Sequence, residues 1–439
     1  MFPKFRKLLG TDGLQRFGLI PFLFMALALV TLLFVGCLRL MEWNRPRDVA
    51  RAESASGVSV ERDISVRLMG RGPRRDVQIA VTSAFSISDA RSDRPVYRSD
   101  VPIGLSIVAP FRKNGISIGH RTIDSNDVIV TPVRDASIVV AKPTRRGNVP
   151  HTYRGRLRIE RRGDGLCFTN LVDVESYLYG VLRGELPRSF HSEAFKTQAV
   201  AARTYVLYQK RIASPGRTFD VLDHEGSQMY IGVRGEDRIA VRAVDTTRGE
   251  VCLWHDNEEL ELFCTYYSST CGGLSQPVNY FRGSERNIPP LSGNVRCLDC
   301  YVSPYYRWKS VRISKADVTR RIVANYPGVK RIGRITRLEP KAKTSDGRVI
   351  RIKLVGSDGL NETLMGEDFR LSVGSRELKS TNFTIAEDGD HYVFSNGRGF
   401  GHGVGLCQYG METKAARGMS YVDILTAYYP GSLVRRVYD

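Results

Sequence analysis

Apolar and polar residues alternate in short runs over much of the chain. DVQIAVTSAFSI, PIGLSIVA and DASIVVA, all between Asp76 and Ala141, read as strands broken by Gly, Pro and Asp turns. YRGRLRIERRGDGLCFTNLV, Tyr153 to Val172, reads as a hairpin turning at Gly-Asp-Gly. The period then changes to that of a helix. Val174, Tyr177, Leu178, Val181 and Leu182 line one face of a first helix, starting near Asp173 and stopped by Pro187. Phe195, Ala199, Ala202 and Val206 line a second, with Ser192 or Ser189 as its expected N-cap. Beyond Phe219 strands return, with one long β-rich run, RVIRIKLVGSDGLNETLMGEDFRLSVG, before a short helix, YVDILTAYY. No internal repeat interrupts the series. Many strands and few helices predict an α+β fold.

The N-terminus follows a different pattern. FGLIPFLFMALALVTLLFVGCL, between Arg16 and Arg39, is 22 residues without a charge. As a helix it reaches roughly 33 Å, enough to cross a bilayer core of about 30 Å. Lys4, Arg6, Lys7 and Arg16 precede it, which favours a cytoplasmic tail and an exported remainder. The expected division is a tail 1–16, a transmembrane anchor 17–38, a polar linker 39–73 and a domain 74–439, with lipid attachment at Cys37 the rival to the uncleaved anchor. An exported domain lies away from nucleic acid. The net charge of +19 then points to anionic head groups or acidic wall polymers.

Three stretches can carry chemistry. Glu185 sits in the last turn of the first helix, where the negative end of the dipole disfavours a second negative charge. Its carboxyl pKa should rise, as a general acid at neutral pH requires. GRGFGHGVGLCQYG, Gly397 to Gly410, surrounds His402 with glycines that let the backbone approach a ligand closely. Cys271, Cys297, Cys300 and Cys407 include a Cys-x-x-Cys spacing and fit either one zinc site or two disulfides. Cys167, Cys252 and Cys264 read as core or bridge residues, and a Cys407–His402 nucleophilic pair is a distant third option.

Taken in order, YRGRLRI, NLVDVESYLYGVLRGELP, EAFKTQAVAARTY, SSTCGG, LKSTNF, GRGFGHGVGLCQYG and ILTAYYPG resemble the stage II sporulation protein D family, which includes the amidase enhancers. The resemblance runs from about Asp76 to Tyr438. It implies a strand-rich domain with a glycan-binding cleft and lytic transglycosylase activity on peptidoglycan glycan strands, with Glu185 of the E-L-P motif as acid/base. The alternative it carries is a non-catalytic enhancer that stimulates a wall amidase. It further implies that Gln198 and Arg203 buttress the acid or bind glycan, and that Gln228, Tyr230, Ser269, His402, Gln408 and Tyr409 bind substrate. A zinc ion on the four cysteines has a precedent in the family. Serine often stands there where this chain has Cys407.

Overall fold

The computed structural model describes residues 53–54, 58–70, 73–109, 115–133, 136–144, 147–281 and 285–439. The expected anchor 17–38, with Cys37, lies outside them. Among the described residues no helix is long and apolar enough to cross a membrane.

The expected strands form two large sheets. A seven-stranded sheet runs in the order Val221–Leu222, Asp63–Leu68, Gly165–Asp173, Arg156–Arg162, Asp127–Pro132, Phe85–Asp89, Pro95–Ser99. A six-stranded sheet contains Asp76–Val81 flanked by Ile103–Val108 and Ile138–Thr144. The linker expectation needs correction here. Asp63–Leu68 lies inside the seven-stranded sheet, with Ile64, Val66 and Leu68 buried, so the folded domain begins before Pro73.

Helix α1, Val174–Glu185, is capped by Asp173, whose carboxylate accepts from the Glu175 amide at 3.0 Å. It ends at Leu186, before Pro187. Helix α2, Ser192–Arg211, starts one residue after the position that caps it. His191 is the cap rather than a serine, its Nδ1 accepting from the Glu193 amide at 3.2 Å. Phe195, Ala199, Ala202 and Val206 are buried as expected. Helix α3, Arg238–Thr246, packs against both.

A second hydrophobic core, from Trp308 to Phe394, belongs to a segment inserted after Cys300 and before the Gly397 loop. It holds helix α4, Lys315–Asn325, helix α5, Gly366–Val373, and a sheet ordered Ile335–Lys343, Val349–Gly356, Asn361–Met365. The run expected to be β-rich is therefore two strands and a helix. Helices α6, Gln408–Ala416, and α7, Tyr421–Tyr428, follow, and Ser432–Arg436 returns beside Glu250–Asp256. The described chain is α+β.

Candidate functional site

The C-terminus of α1 carries Glu185, and an adjoining loop completes its environment. Gly180 and Gly184 lie one turn apart on α1. A Cβ on Gly184 would stand 2.0 Å from the Met229 carbonyl oxygen, and one on Gly180 2.6 Å from the Tyr230 ring. The bare helix face lets the loop Gln228–Ile231 lie directly on α1. The Met229 amide then donates to Glu185 Oε1 at 2.7 Å. Gln408 Nε2, from the first turn of α6, donates to Glu185 Oε2 at 3.4 Å, and the Tyr267 hydroxyl also bonds to the carboxylate. Burial outweighs these three donors and raises the Glu185 pKa above the usual carboxylate range, with nearby Glu225 adding to the rise. The direction agrees with the dipole argument; the dominant cause is burial.

Glutamines and tyrosines form the wall behind the acid. Gln228 Nε2 donates to the Tyr267 oxygen at 3.0 Å, and the Tyr177 hydroxyl donates to Gln228 Oε1 at 2.9 Å. Gln408 Nε2 also donates to Gln198 Oε1 at 3.4 Å. Gln198 and Gln228 are wholly buried. They therefore hold Tyr267 and Gln408 in place rather than meeting a ligand directly. Tyr409 is half-buried, edge-on to Phe190, and its amide donates to the Ser269 carbonyl.

Two residues expected at the cleft stand elsewhere. Arg203 is fully buried in a bidentate pair with Glu175 at 2.9 and 2.7 Å, and it also donates to the Glu250 and Val244 carbonyls. With Glu175 it joins α1, α2 and the Tyr438 hydroxyl, so it holds the two helices together and contacts Glu185 in none of its bonds. Tyr230 is buried between Tyr153 and Tyr177 with its hydroxyl on Asn170. Its role is to seat the loop that delivers the Met229 amide.

His402 is stacked on Phe281 at 4.5 Å, and both its nitrogens are used within the protein. Nδ1 accepts from the Val404 amide, while the other nitrogen donates to the Tyr267 carbonyl. Burial pushes its pKa down to about 4, with Arg370 and Arg348 adding to the fall against Glu367, so the ring is neutral at pH 7. It braces Tyr267 from the side opposite the hydroxyl.

The thiols of Cys271, Cys297, Cys300 and Cys407 are buried and lie within 4.8 Å of one another, with Cys271 and Cys300 at 3.7 Å. All four are free thiols here. Tetrahedral zinc with bonds of about 2.3 Å sets its sulfurs roughly 3.8 Å apart, so the cluster can hold such a metal. The Cys271 amide donates to Cys407 Sγ, and Tyr428 contacts Cys297 Sγ. The cluster spans the short parallel pair Tyr267–Ser268 with Leu406–Cys407, next to Tyr267 and Gln408. Cys407 is one of four converging thiols and does not contact His402, which removes the nucleophilic-pair option.

Sequence reading missed Tyr267, Tyr177 and the Met229 amide. Tyr267 stands two residues before Ser269, and its closeness in the chain to that singled-out residue was the available signal. The main-chain donor has no side-chain signature.

The family described as Stage II sporulation protein matches residues 162–254. An uncharacterised protein of Brachyspira hyodysenteriae is 31% identical over 285 residues, covering 64% of this chain and 71% of its own length. The chain belongs to the stage II sporulation protein D family. Stage II sporulation protein D of Bacillus subtilis is 27% identical, covering 60% of this chain and 74% of that protein. The amidase enhancer of Bacillus subtilis is 29% identical over 58% of this chain but only 40% of its own length. Glu185, Gln198, Arg203, Gln228 and Tyr230 fall in the sporulation-protein match. A domain of unknown function matches residues 294–405, the stretch that holds the inserted segment and His402.

Proposed function

We propose that this member of the sporulation protein D family is a membrane-anchored lytic transglycosylase that cuts peptidoglycan glycan strands outside the cytoplasm. The observation that carries the reading is Glu185, a carboxyl with a raised pKa held by the Met229 amide, Gln408 and Tyr267. Protonated Glu185 donates to the glycosidic oxygen as the C1–O bond breaks. The resulting carboxylate takes the proton of the muramic 6-hydroxyl as that oxygen bonds to C1, leaving a 1,6-anhydro end. One group thus serves where hydrolytic glycosidases need two. The donors around Glu185 stabilise the carboxylate during the interval when it is ionised. Zinc on Cys271, Cys297, Cys300 and Cys407 would fill its coordination with thiolates, a structural role that fixes Tyr267 and Gln408.

The enhancer reading draws on the relative named as an amidase enhancer, and a wall amidase would then be the partner. One experiment separates the two. Purified full-length protein is incubated with peptide-free glycan strands beside Glu185→Gln, and products are read by mass spectrometry. Anhydro-ended fragments from the parent alone support the transglycosylase. Intact strands from a folded, glycan-binding parent sink it in favour of the enhancer.

A further inference from the structure

The inserted sheet has two unlike faces. Leu338, Ile352 and Leu354 point inward to the second core, where α4 and α5 cover that side. Arg337 and Glu339 alternate outward from one strand, Lys341 and Lys343 follow on it across two register shifts, and Arg351 and Lys353 stand outward on its neighbour. Pairing of Glu339 with Lys353 and of Ala342 with Arg351 sets the two rows side by side. Glu339 is already shared by Arg337 at 2.7 Å and Lys341 at 2.8 Å. Lys343, Arg351 and Lys353 have no carboxylate in ion-pair range among the described residues. The result is a cluster of exposed and half-buried cations across two adjacent strands about 4.8 Å apart.

We propose that this face binds a linear phosphodiester polymer of the cell envelope. Several cations on one face, three of them without a carboxylate partner, match a chain that repeats a single negative charge, and arginine forks suit phosphate oxygens. The three strands, ITRLEPKAK, VIRIKLVG and NETLM, contain no aromatic residue. Single-stranded nucleic acid sites depend on aromatic stacking, so that phosphodiester chain is disfavoured. The turn joining the two cationic strands touches the cleft loops. Asp346 accepts from Gln276, and Arg348 donates to the carbonyls of Cys271, Gly401 and His402. A polymer on this face lies in fixed relation to the His402 loop.

The inference rests on reading the domain as envelope-facing, but it is measured without any cleavage. Full-length protein in detergent is titrated with fluorescent poly(glycerol phosphate) at low and high salt. Parent and Glu185→Gln should bind alike, weakening steeply with salt. Lys343→Gln/Arg351→Gln/Lys353→Gln should weaken binding by about tenfold or more and flatten the salt dependence. These three side chains are exposed or half-buried, so the variant keeps its fold, which circular dichroism checks. Equal binding by parent and triple variant overturns the proposal. So does capture by phosphatidylglycerol vesicles, or by single-stranded DNA, in preference to the polymer. If the polymer binds but no anhydro product forms, the transglycosylase reading alone fails.

Discussion

At the scale of single residues, Glu185 is held at a cost to stability. Its folded-state pKa is raised, chiefly by burial, so folding favours the protonated form. That contribution is complete below the ordinary glutamate value and is lost as pH rises through the folded value. Glu185→Gln keeps the shape and cannot ionise. Its melting temperature should match the parent at about pH 4 and exceed it increasingly toward neutral pH. A pH series of melting curves checks this, and a constant gap at all pH values would mean the raised pKa is wrong. Arg203 presents the contrary case. Its charge is matched by Glu175 in two hydrogen bonds, and removing it would leave a buried carboxylate unpaired. Sequence alone placed Gln198 and Arg203 in one motif with one expected role. Only the fold separates them, because α2 turns Gln198 toward the acid and Arg203 toward the Glu250 strand.

At the scale of elements, the two glycines of α1 show how local preference gives way to assembly. Alanine favours a helix interior over glycine by about 1 kcal/mol, so Gly184→Ala would stabilise an isolated helix. Here its methyl would meet the Met229 carbonyl at 2.0 Å. The loop must move, and with it the amide that binds Glu185. Gly184→Ala should therefore destabilise the domain by about 1–3 kcal/mol and reduce cleavage at least tenfold, on the order of the loss of one charged hydrogen bond. Denaturant titration and glycan turnover test the two parts together; a stabilised, fully active variant would refute the close approach. The elements themselves were unequally legible. α1 could be read because its apolar spacing, the Asp173 cap and Pro187 all agree. The strand Asp63–Leu68 was hidden because three apolar residues alternating with Asp63, Ser65 and Arg67 resemble a tether. Helix α5 follows a strand directly and has no side-chain cap, so its start left no mark. The cysteine cluster was legible as a set, and the convergence of all four sulfurs, which a metal site needs, was not.

At the scale of the whole molecule, the inserted segment has its own core and yet reaches the site through a buried arginine, beside the Asp346–Gln276 contact and the Arg307–Trp308 pairing with Gly397–Arg398. Arg348 is 2% exposed, and its Nη2 donates to the Cys271 carbonyl at 2.5 Å. Its Nη1 reaches the Gly401 and His402 carbonyls at 3.3 and 3.4 Å. A Cβ on Gly403 would stand 2.7 Å from the guanidinium, so the glycines of the His402 loop are what admit it. Burial lowers its pKa, and Asp346 and Glu367 counter that from nearby without an ion pair in range among the described residues. The arginine thus binds main chain of one core from the sheet of the other. Arg348→Met removes the buried cation but leaves those carbonyls without their donor, a loss of about 1–3 kcal/mol concentrated at the junction. Each core remains intact on its own side. Calorimetry of the parent should show one cooperative transition, and of Arg348→Met two, with the inserted segment melting apart from the main core. A single transition in the variant would mean that the Arg307–Trp308 pairing with Gly397–Arg398 suffices to couple the cores. Two transitions with a weakened glycan cleft would show that the insert holds the His402 loop, and through it Tyr267, in the position Glu185 requires.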